Sequence, residues 1–299
     1  MGPRGMYKSP DTTKAGEPTG MPWGEREGTM RQTGGGKWNK YFVTGLIMTG
    51  VAVLLGVTGF FWTPYSTTEM SAAEKFVGPS LRHLFGTDNF GRDIFSRVMQ
   101  GLGTTISISS LVVLFSGSAG ILLGAVTGYF GGILDEVVMR ITDALNGFPS
   151  ILLTLVIISV LGSGRQNVII SLGLVFVPSY VRIVRSEFIR LRDMDYIRRA
   201  RLMGVGNIRI LFVHILPNIF SVFWVSVMIG FNNAILAESG MSYLGIGVQP
   251  PDASLGKMLS DAQGYLQSAP WYALAPGLTI VWVVLGFSLF GEGIRRWNQ

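Results

Sequence analysis

The chain has 299 residues, of which 48% are apolar and 14% are charged, whereas about a quarter of the residues of a soluble domain are charged. This composition excludes an ordinary soluble domain and predicts a membrane protein. Cysteine is absent, which excludes a disulfide framework and a thiolate metal site. The net charge of +6 comes from basic residues that flank apolar segments, so it does not indicate nucleic-acid binding.

The chain begins with a polar stretch and a first apolar segment. Residues 1–40 are rich in Gly, Thr, Pro and charge and show no helical period, which predicts a disordered cytoplasmic tail. Residues 41–62 are apolar throughout and long enough to cross a bilayer. Because this segment follows a long polar tail and ends in Gly-Phe-Phe-Trp, we interpret it as an anchor helix and not as a signal peptide.

The largest predicted external piece is 63–103. Its second half, 85–101, has turn residues followed by Ile94, Phe95 and Val98 on one helical face. We call 85–101 the scoop element. It is predicted to be a short amphipathic element that lies on the outer surface and leads into the second span.

Long stretches without charge define the remaining spans. No charged residue occurs between Arg97 and Asp135, or between Arg209 and Glu238. With about 20 apolar residues needed per crossing helix, the sequence predicts an all-α polytopic protein whose residues 104–299 form a five-helix core. The six predicted spans are 41–62, 104–130, 147–163, 167–184, 216–239 and 270–291.

The distribution of Lys and Arg predicts the orientation. With the N-terminus inside, the cytoplasmic pieces hold 18 of the 24 basic residues and the external pieces hold six. The excess of positive charge on one side predicts that both termini are cytoplasmic. The fourth span is the least apolar, because Arg182 lies near its end and Arg185 directly follows it. Both side chains must extend toward the membrane surface.

Motifs for catalysis are missing. The sequence has no phosphate-binding loop, H-E-x-x-H or G-x-S-x-G pattern, and the two histidines are predicted on opposite sides of the membrane. This chain is therefore expected to bind no metal or cofactor and to catalyse no reaction. Its candidates for a translocation path are Asn232, Asn233 and Glu238, although the position of Glu238 near the outer end of the fifth span favours a structural contact between helices over a proton relay.

The segment 198–218 is unusually basic for a chain of this class and reads RRARLMGVGNIRILFVHILPN. It resembles the coupling loop of ATP-binding-cassette importer permeases at Ala200, Gly204, Ile215 or Leu216, and Pro217. Three further stretches resemble the C-type permease of the peptide and nickel importers: GTDNFGRDIFSR at 86–97, MRITDALNGFPS at 139–150, and ESGMSYLGIGVQPP at 238–251. Two departures stand in the loop itself, where Arg198 replaces the usual Glu and Arg199 the usual Ala. A third lies at Gly103, where an Arg is common.

The resemblance implies a type I importer permease fold with six transmembrane helices, in the plasma membrane of a prokaryote. It also implies a homologous second permease, two cytoplasmic ATPases that hold ATP and Mg²⁺, and an external binding protein that delivers di- or oligopeptides. The residues implied to couple to the ATPase are Arg198, Arg199, Ala200, Leu202, Met203, Gly204, Val205, Ile208 and Pro217. The implied contacts to the binding protein or second permease are Phe90, Arg92, Ile94, Phe95, Gln249 and Pro250.

Other functions stay open at this stage. The same machinery could import nickel or a metal chelate. The segment 195–217 could instead be an amphipathic helix held to anionic lipid by its arginines. A stand-alone channel or secondary transporter would require charge rings, broken helices or several intramembrane acids, of which we identify only Glu238.

Overall fold

The computed structural model describes residues 40–297, and side chains up to Arg296. The predicted disordered tail at 1–40 therefore lies almost entirely outside the described residues. Within 40–297 the protein is helical and has no strand, apart from an isolated bridge between Thr87 and Asp93. The helices are α1 (Lys40–Phe61), α2 (Ile94–Phe130), α3 (Gly132–Asn146), α4 (Ser150–Leu161), α5 (Arg165–Arg192), α6 (Asp195–Leu202), α7 (Asn207–Tyr243), α8 (Leu255–Ala262) and α9 (Pro270–Trp297).

Five helices are long and apolar enough to cross a membrane: α1, α2, α5, α7 and α9. The predicted third span, 147–163, is different. Helix α4 has 12 residues and is about 18 Å long, short of the roughly 30 Å of a bilayer core. It passes as a span only together with α3, to which it joins at a bend of 95°. Pro149 lies at this bend and disfavours helical geometry at the residue before it.

Helix α2 begins ten residues before the predicted start of the second span. The carboxylate of Asp93 caps it by accepting a hydrogen bond from the Ser96 backbone N–H at 2.7 Å. The side chains of Ile94 and Val98 are buried in the core. The scoop element leads into the second span as predicted, since its helical part is the first turns of α2. The prediction that its apolar face lies on the outer surface was wrong, because Ile94 and Val98 are buried in the core.

Glycines on α2 allow α5 to pack against it closely. A Cβ added at Gly124 would lie 2.8 Å from the Cβ of Val184, and one at Gly128 would lie 2.7 Å from that of Phe188. Small residues let helices approach in this way where lipid removes the hydrophobic driving force between them. Through these contacts α2 and α5 pack closely against each other along the bundle.

Two ion pairs tie α3 to the end of α5. Arg185 donates two hydrogen bonds to the Asp135 carboxylate, at 2.5 and 2.7 Å, and Arg182 donates to Asp143 at 2.9 Å. These arginines were expected to extend from the end of their span without a named partner. They instead meet two of the acidic residues of α3.

Candidate functional site

The segment 195–217, here called the coupling segment, lies at the predicted cytoplasmic end of the bundle. Its helix α6 ends at Leu202, and Gly204, just beyond that end, has a φ of +78°. The Gly204 backbone N–H donates to the Arg201 carbonyl at 3.0 Å, and that of Val205 donates to the Ala200 carbonyl at 3.1 Å. These bonds close the end of the helix through a left-handed residue, a conformation in which glycine is strongly favoured.

The exposed face of the coupling segment is apolar. The side chains of Leu202, Met203 and Ile208 are 88%, 77% and 73% exposed, although burying each would be favourable. Arg198 and Arg199 are exposed beside them. An exposed apolar group with a basic border is typical of a protein-binding surface.

Two of the residues implied to couple to the ATPase are turned toward the interior of the protein. Ala200 is 4% exposed, and Val205 is partly buried; both pack in a cluster of apolar side chains beneath the segment. Their side chains support the coupling segment from beneath and do not form its outer face.

This cluster, here called the second apolar cluster to distinguish it from the main core, holds the segment to α2 and α5. Ile197 and Ile210 are fully buried in it, together with Phe188 of α5. Tyr129, near the end of α2, donates a hydrogen bond to Asn207 at 2.8 Å, and the Arg201 guanidinium lies 5.1 Å from the centre of its ring. The coupling segment is therefore fixed to the central helix pair. Sequence reasoning missed Tyr129, because no motif distinguishes it from other aromatic residues at the ends of spans.

Pro217 is exposed and lies within a continuous helix. The helix continues from Asn207 to Tyr243, with a π-helical turn at Ile210–Ile215 directly before the proline. Proline has no N–H to donate, so Pro217 donates no backbone hydrogen bond in this helix, and directly after it the Asn218 side chain donates to the His214 carbonyl at 2.6 Å. The predicted fifth span, 216–239, therefore begins inside this helix, where the π turn directly precedes Pro217.

The implied outer contacts differ in accessibility. Phe90, Gln249 and Pro250 are exposed, whereas Arg92 and Phe95 are partly covered. Ile94 is fully buried in the core, so its side chain cannot contact another chain without rearrangement of α2. That part of the interpretation was wrong.

A buried charge network fixes the loop that carries Phe90. The Asp88 carboxylate is fully buried and accepts from the Phe90 and Arg92 backbone N–H groups, at 2.8 and 2.9 Å. It also pairs with the Arg92 side chain at 2.7 Å, and His83 lies 2.9 Å from Asp93 nearby. Charged groups are buried in proteins when they are paired in this way. The network gives the turn in GTDNFGRD its shape.

Asn232, Asn233 and Glu238 do not converge on one site. Glu238 is fully buried and accepts hydrogen bonds from Thr105 of α2 at 2.9 Å and from Ser242 at 2.7 Å. Asn232 donates to Ser288 of α9 at 2.9 Å. Asn233 is exposed and faces a cavity. The structural role for Glu238 is therefore favoured over a place in a translocation path.

That cavity, here called the α5–α7 cavity, has a volume of about 500 Å³ and is walled by α5, α7 and the bend between α3 and α4. Its lining is apolar with scattered neutral polar groups, and none of its lining residues is acidic or basic. The residues are Leu145, Asn146, Phe148, Ser150, Ile151, Val175, Phe176, Ser179, Tyr180, Ile183, Ser226, Ile229, Gly230, Asn233, Leu236 and Ala237. Within 40–297, no three His, Asp or Glu side chains cluster so as to hold a metal ion.

Comparison with known proteins identifies the class. Residues 120–299 match the family described as the binding-protein-dependent transport system inner membrane component. The match covers more than half of the chain, which therefore belongs to this family. It is a multi-pass protein of the prokaryotic plasma membrane and a permease subunit of a binding-protein-dependent importer.

Individual relatives align with this chain over most of their length. The chain is 40% identical to the dipeptide transport system permease protein DppC of Alkalihalophilus pseudofirmus, over 87% of this chain and 85% of that protein. It is 35% identical to the DppC of Haemophilus influenzae, over 87% and 90%. The glutathione transport system permease protein GsiD of Pectobacterium atrosepticum is 36% identical, over 83% and 84%.

Among solved structures, a chain of the methionine ABC transporter MetNI in its inward-facing conformations matches with a TM-score of 0.56. It shares 19% identity and is matched over 68% of this chain and 96% of that one. This likeness concerns the fold alone. Together with the family match, it confirms the type I importer permease fold and the resemblance drawn from the motifs.

Proposed function

We propose that this chain translocates di- and oligopeptides as one of two homologous permeases in an ATP-driven importer. The observation that carries the coupling role is the exposed apolar face formed by Leu202, Met203 and Ile208 on a rigid support. The peptide cargo is supported by the names of the relatives, which are dipeptide and glutathione permeases over more than 80% of both chains.

In this proposal, each permease inserts its coupling segment into a cytoplasmic ATPase that holds ATP and Mg²⁺. Closure of the ATPases draws the two segments together. Because Tyr129 and the second apolar cluster fix the segment to α2 and α5, the displacement passes to the helices as a rigid-body motion. Arg198 and Arg199 favour a neutral or acidic ATPase surface opposite them, since like charges at an interface are unfavourable.

Reconstitution tests the proposal. Vesicles that contain both permeases and the ATPases, with binding protein outside and ATP inside, should accumulate labelled dialanine, and omission of any component should stop uptake. Accumulation of nickel in place of dialanine would favour the metal alternative. Dialanine flux through vesicles that contain this chain alone would favour a stand-alone channel and contradict the proposal.

The orientation has its own test, made simple because the chain contains no cysteine. We expect Arg199→Cys to react with a membrane-impermeant maleimide from the cytoplasmic side alone. Ala72→Cys and Asp252→Cys, at exposed positions of the opposite end, should react from outside alone. Labelling of Arg199→Cys in intact cells would exclude ATPase coupling through this segment.

A further inference from the structure

A hydrogen-bonded turn in the external piece presents two leucines to the surroundings. In residues 80–86, here called the 80–86 turn, the His83 carbonyl accepts two backbone hydrogen bonds from within the turn, at 2.8 and 3.0 Å. The His83 ring is buried, and its Nδ1 lies 2.9 Å from the Asp93 carboxylate. By contrast, Leu81 is fully exposed and Leu84 is more than half exposed. Since leaving such side chains in water is unfavourable, we expect this turn to have an apolar partner.

The 80–86 turn lies at the level of Trp271, near the start of α9. A Cβ added at Gly86 would lie 2.8 Å from the Trp271 ring, and one added at Gly78 would lie 3.9 Å from it, so the chain contacts this ring on both sides of the turn. Helix α9 carries no charged residue over 270–291. This stretch is about 33 Å long, which matches the roughly 30 Å of a bilayer core. Trp271 therefore lies at one boundary of the bilayer core, where tryptophan is enriched, and the turn lies there with it.

An apolar groove joins the turn to the surface of α9. Leu84 and Phe85 line it on the side of the turn, and Trp271 and Trp282 are among the α9 residues that line it, around a volume of about 390 Å³. From Trp271 to Trp282 the helix rises about 16 Å, so the groove leads from the boundary into the bilayer core. The Thr279 hydroxyl, which also lines the groove, donates within its own helix to the Ala275 carbonyl at 2.7 Å. The groove is therefore suited to an apolar chain that runs along the membrane normal.

The outward face of α9 favours lipid over a helix of another protein. A Cβ added at Gly286 would lie 3.1 Å from Met48 of α1, and one added at Gly291 would lie 3.0 Å from Met228 of α7, so these glycines serve contacts within the chain. Small residues are typical of helix contacts in membranes. The outward face has large aliphatic side chains instead, each more than half exposed, and the first two of them also line the groove: Leu274, Leu278, Val281 and Leu285.

We propose that the 80–86 turn inserts into the outer leaflet of the membrane, with Leu81 and Leu84 among the lipid chains and one acyl chain in the groove beside α9. This lipid contact is additional to the proposed function and does not depend on the cargo. Because the turn leads directly into the loop shaped by Asp88, the contact also fixes the height of Phe90 above the membrane. The external piece 63–103 is then held by lipid as well as by protein.

Nitroxide labels on single cysteines test the proposal in the assembled importer, in vesicles of phosphatidylcholine and phosphatidylglycerol. Labels on Leu81→Cys and Leu84→Cys should collide often with oxygen, which concentrates in lipid, and rarely with a nickel chelate, which stays in water. Leu278→Cys, on the outward face of α9, is the control in lipid and should behave in the same way. Asp252→Cys, at an exposed position of the same end of the protein, is the control in water. The ratio of oxygen to nickel collisions at both leucine positions should exceed the ratio at Asp252→Cys several-fold.

Two results would overturn the proposal. If the ratio at Leu81→Cys and Leu84→Cys equals that at Asp252→Cys, the turn lies in water. If both reagents are kept from these labels in the importer, although Leu278→Cys stays accessible to oxygen, a partner subunit or the binding protein covers the turn.

Brominated lipids provide a second measurement, of depth. A bimane label on Leu84→Cys should be quenched more strongly by lipids brominated close to the headgroup than by lipids brominated near the bilayer centre, because the turn lies at the level of Trp271. The absence of quenching by either lipid would contradict insertion. Neither measurement requires peptide uptake, so a failure of the lipid contact and a failure of the proposed function are distinguishable.

Discussion

Gly204→Val should reduce uptake and peptide-stimulated ATP hydrolysis of the assembled importer by at least about tenfold, while the protein still inserts and pairs in the membrane. Gly204 has a φ of +78°, a conformation that costs an L-residue about 1–2 kcal/mol. No other part of the described chain lies within 4 Å of the Cβ that would be added. The expected defect is thus strain in the turn, which redirects Leu202 and Met203, and not a clash.

A matched control lies two residues along the same turn. Gly206 also has nothing within 4 Å of an added Cβ, but its φ is −66°, which any residue adopts. Gly206→Val should therefore retain most of the activity, and Gly204→Asn should retain more than Gly204→Val, because Asn tolerates the left-handed region. Equal loss in Gly204→Val and Gly206→Val would contradict the role of backbone geometry. Co-purification of the ATPase with each variant shows whether docking itself is lost.

Much of the fold could be predicted from charge-free stretches, because the bilayer requires long apolar helices. The start of α2 could not, since its first turns are buried against protein and not against lipid. Arg97 is a charged residue there, yet it is 3% exposed and lies near Asp88 at 3.7 Å. A span predicted from a stretch without charge cannot include a residue such as Arg97, although the helix does include it.

The candidate site was predictable only in part, for a related reason. The coupling segment has its own sequence pattern, so Gly204 and the residues around it were found. Tyr129 supports this segment through a hydrogen bond to Asn207, a residue distant along the chain, and nothing in the local sequence marks it. The opposite error occurred at Ile94, where a helical apolar face was assigned to the surface although it points into the core.

Glu238→Leu should destabilise the protein strongly, and Glu238→Gln should not. The carboxylate is fully buried and accepts hydrogen bonds from Thr105 and Ser242, so it joins α7 to α2. Leucine would leave the hydroxyl hydrogens of Thr105 and Ser242 without this acceptor, at a cost of about 1–3 kcal/mol each. Glutamine can still hydrogen-bond to both hydroxyls, because each can donate or accept. Thermal unfolding of the purified protein in detergent measures the difference.

The same variants separate structure from transport chemistry. If Glu238 were a proton carrier in the translocation path, Glu238→Gln would abolish uptake although the protein stayed folded. We expect it instead to retain most of its uptake. Removing the hydroxyls as well provides the control. Glu238→Leu combined with Thr105→Val and Ser242→Ala should recover much of the stability lost in Glu238→Leu, because replacing both partners of a buried hydrogen bond by apolar groups is nearly neutral. The Ser242 hydroxyl also accepts from the Val248 backbone N–H at 3.1 Å, so the recovery should be incomplete. A triple variant no more stable than Glu238→Leu would show that the buried carboxylate stabilises the helix pair by something other than these two hydroxyls.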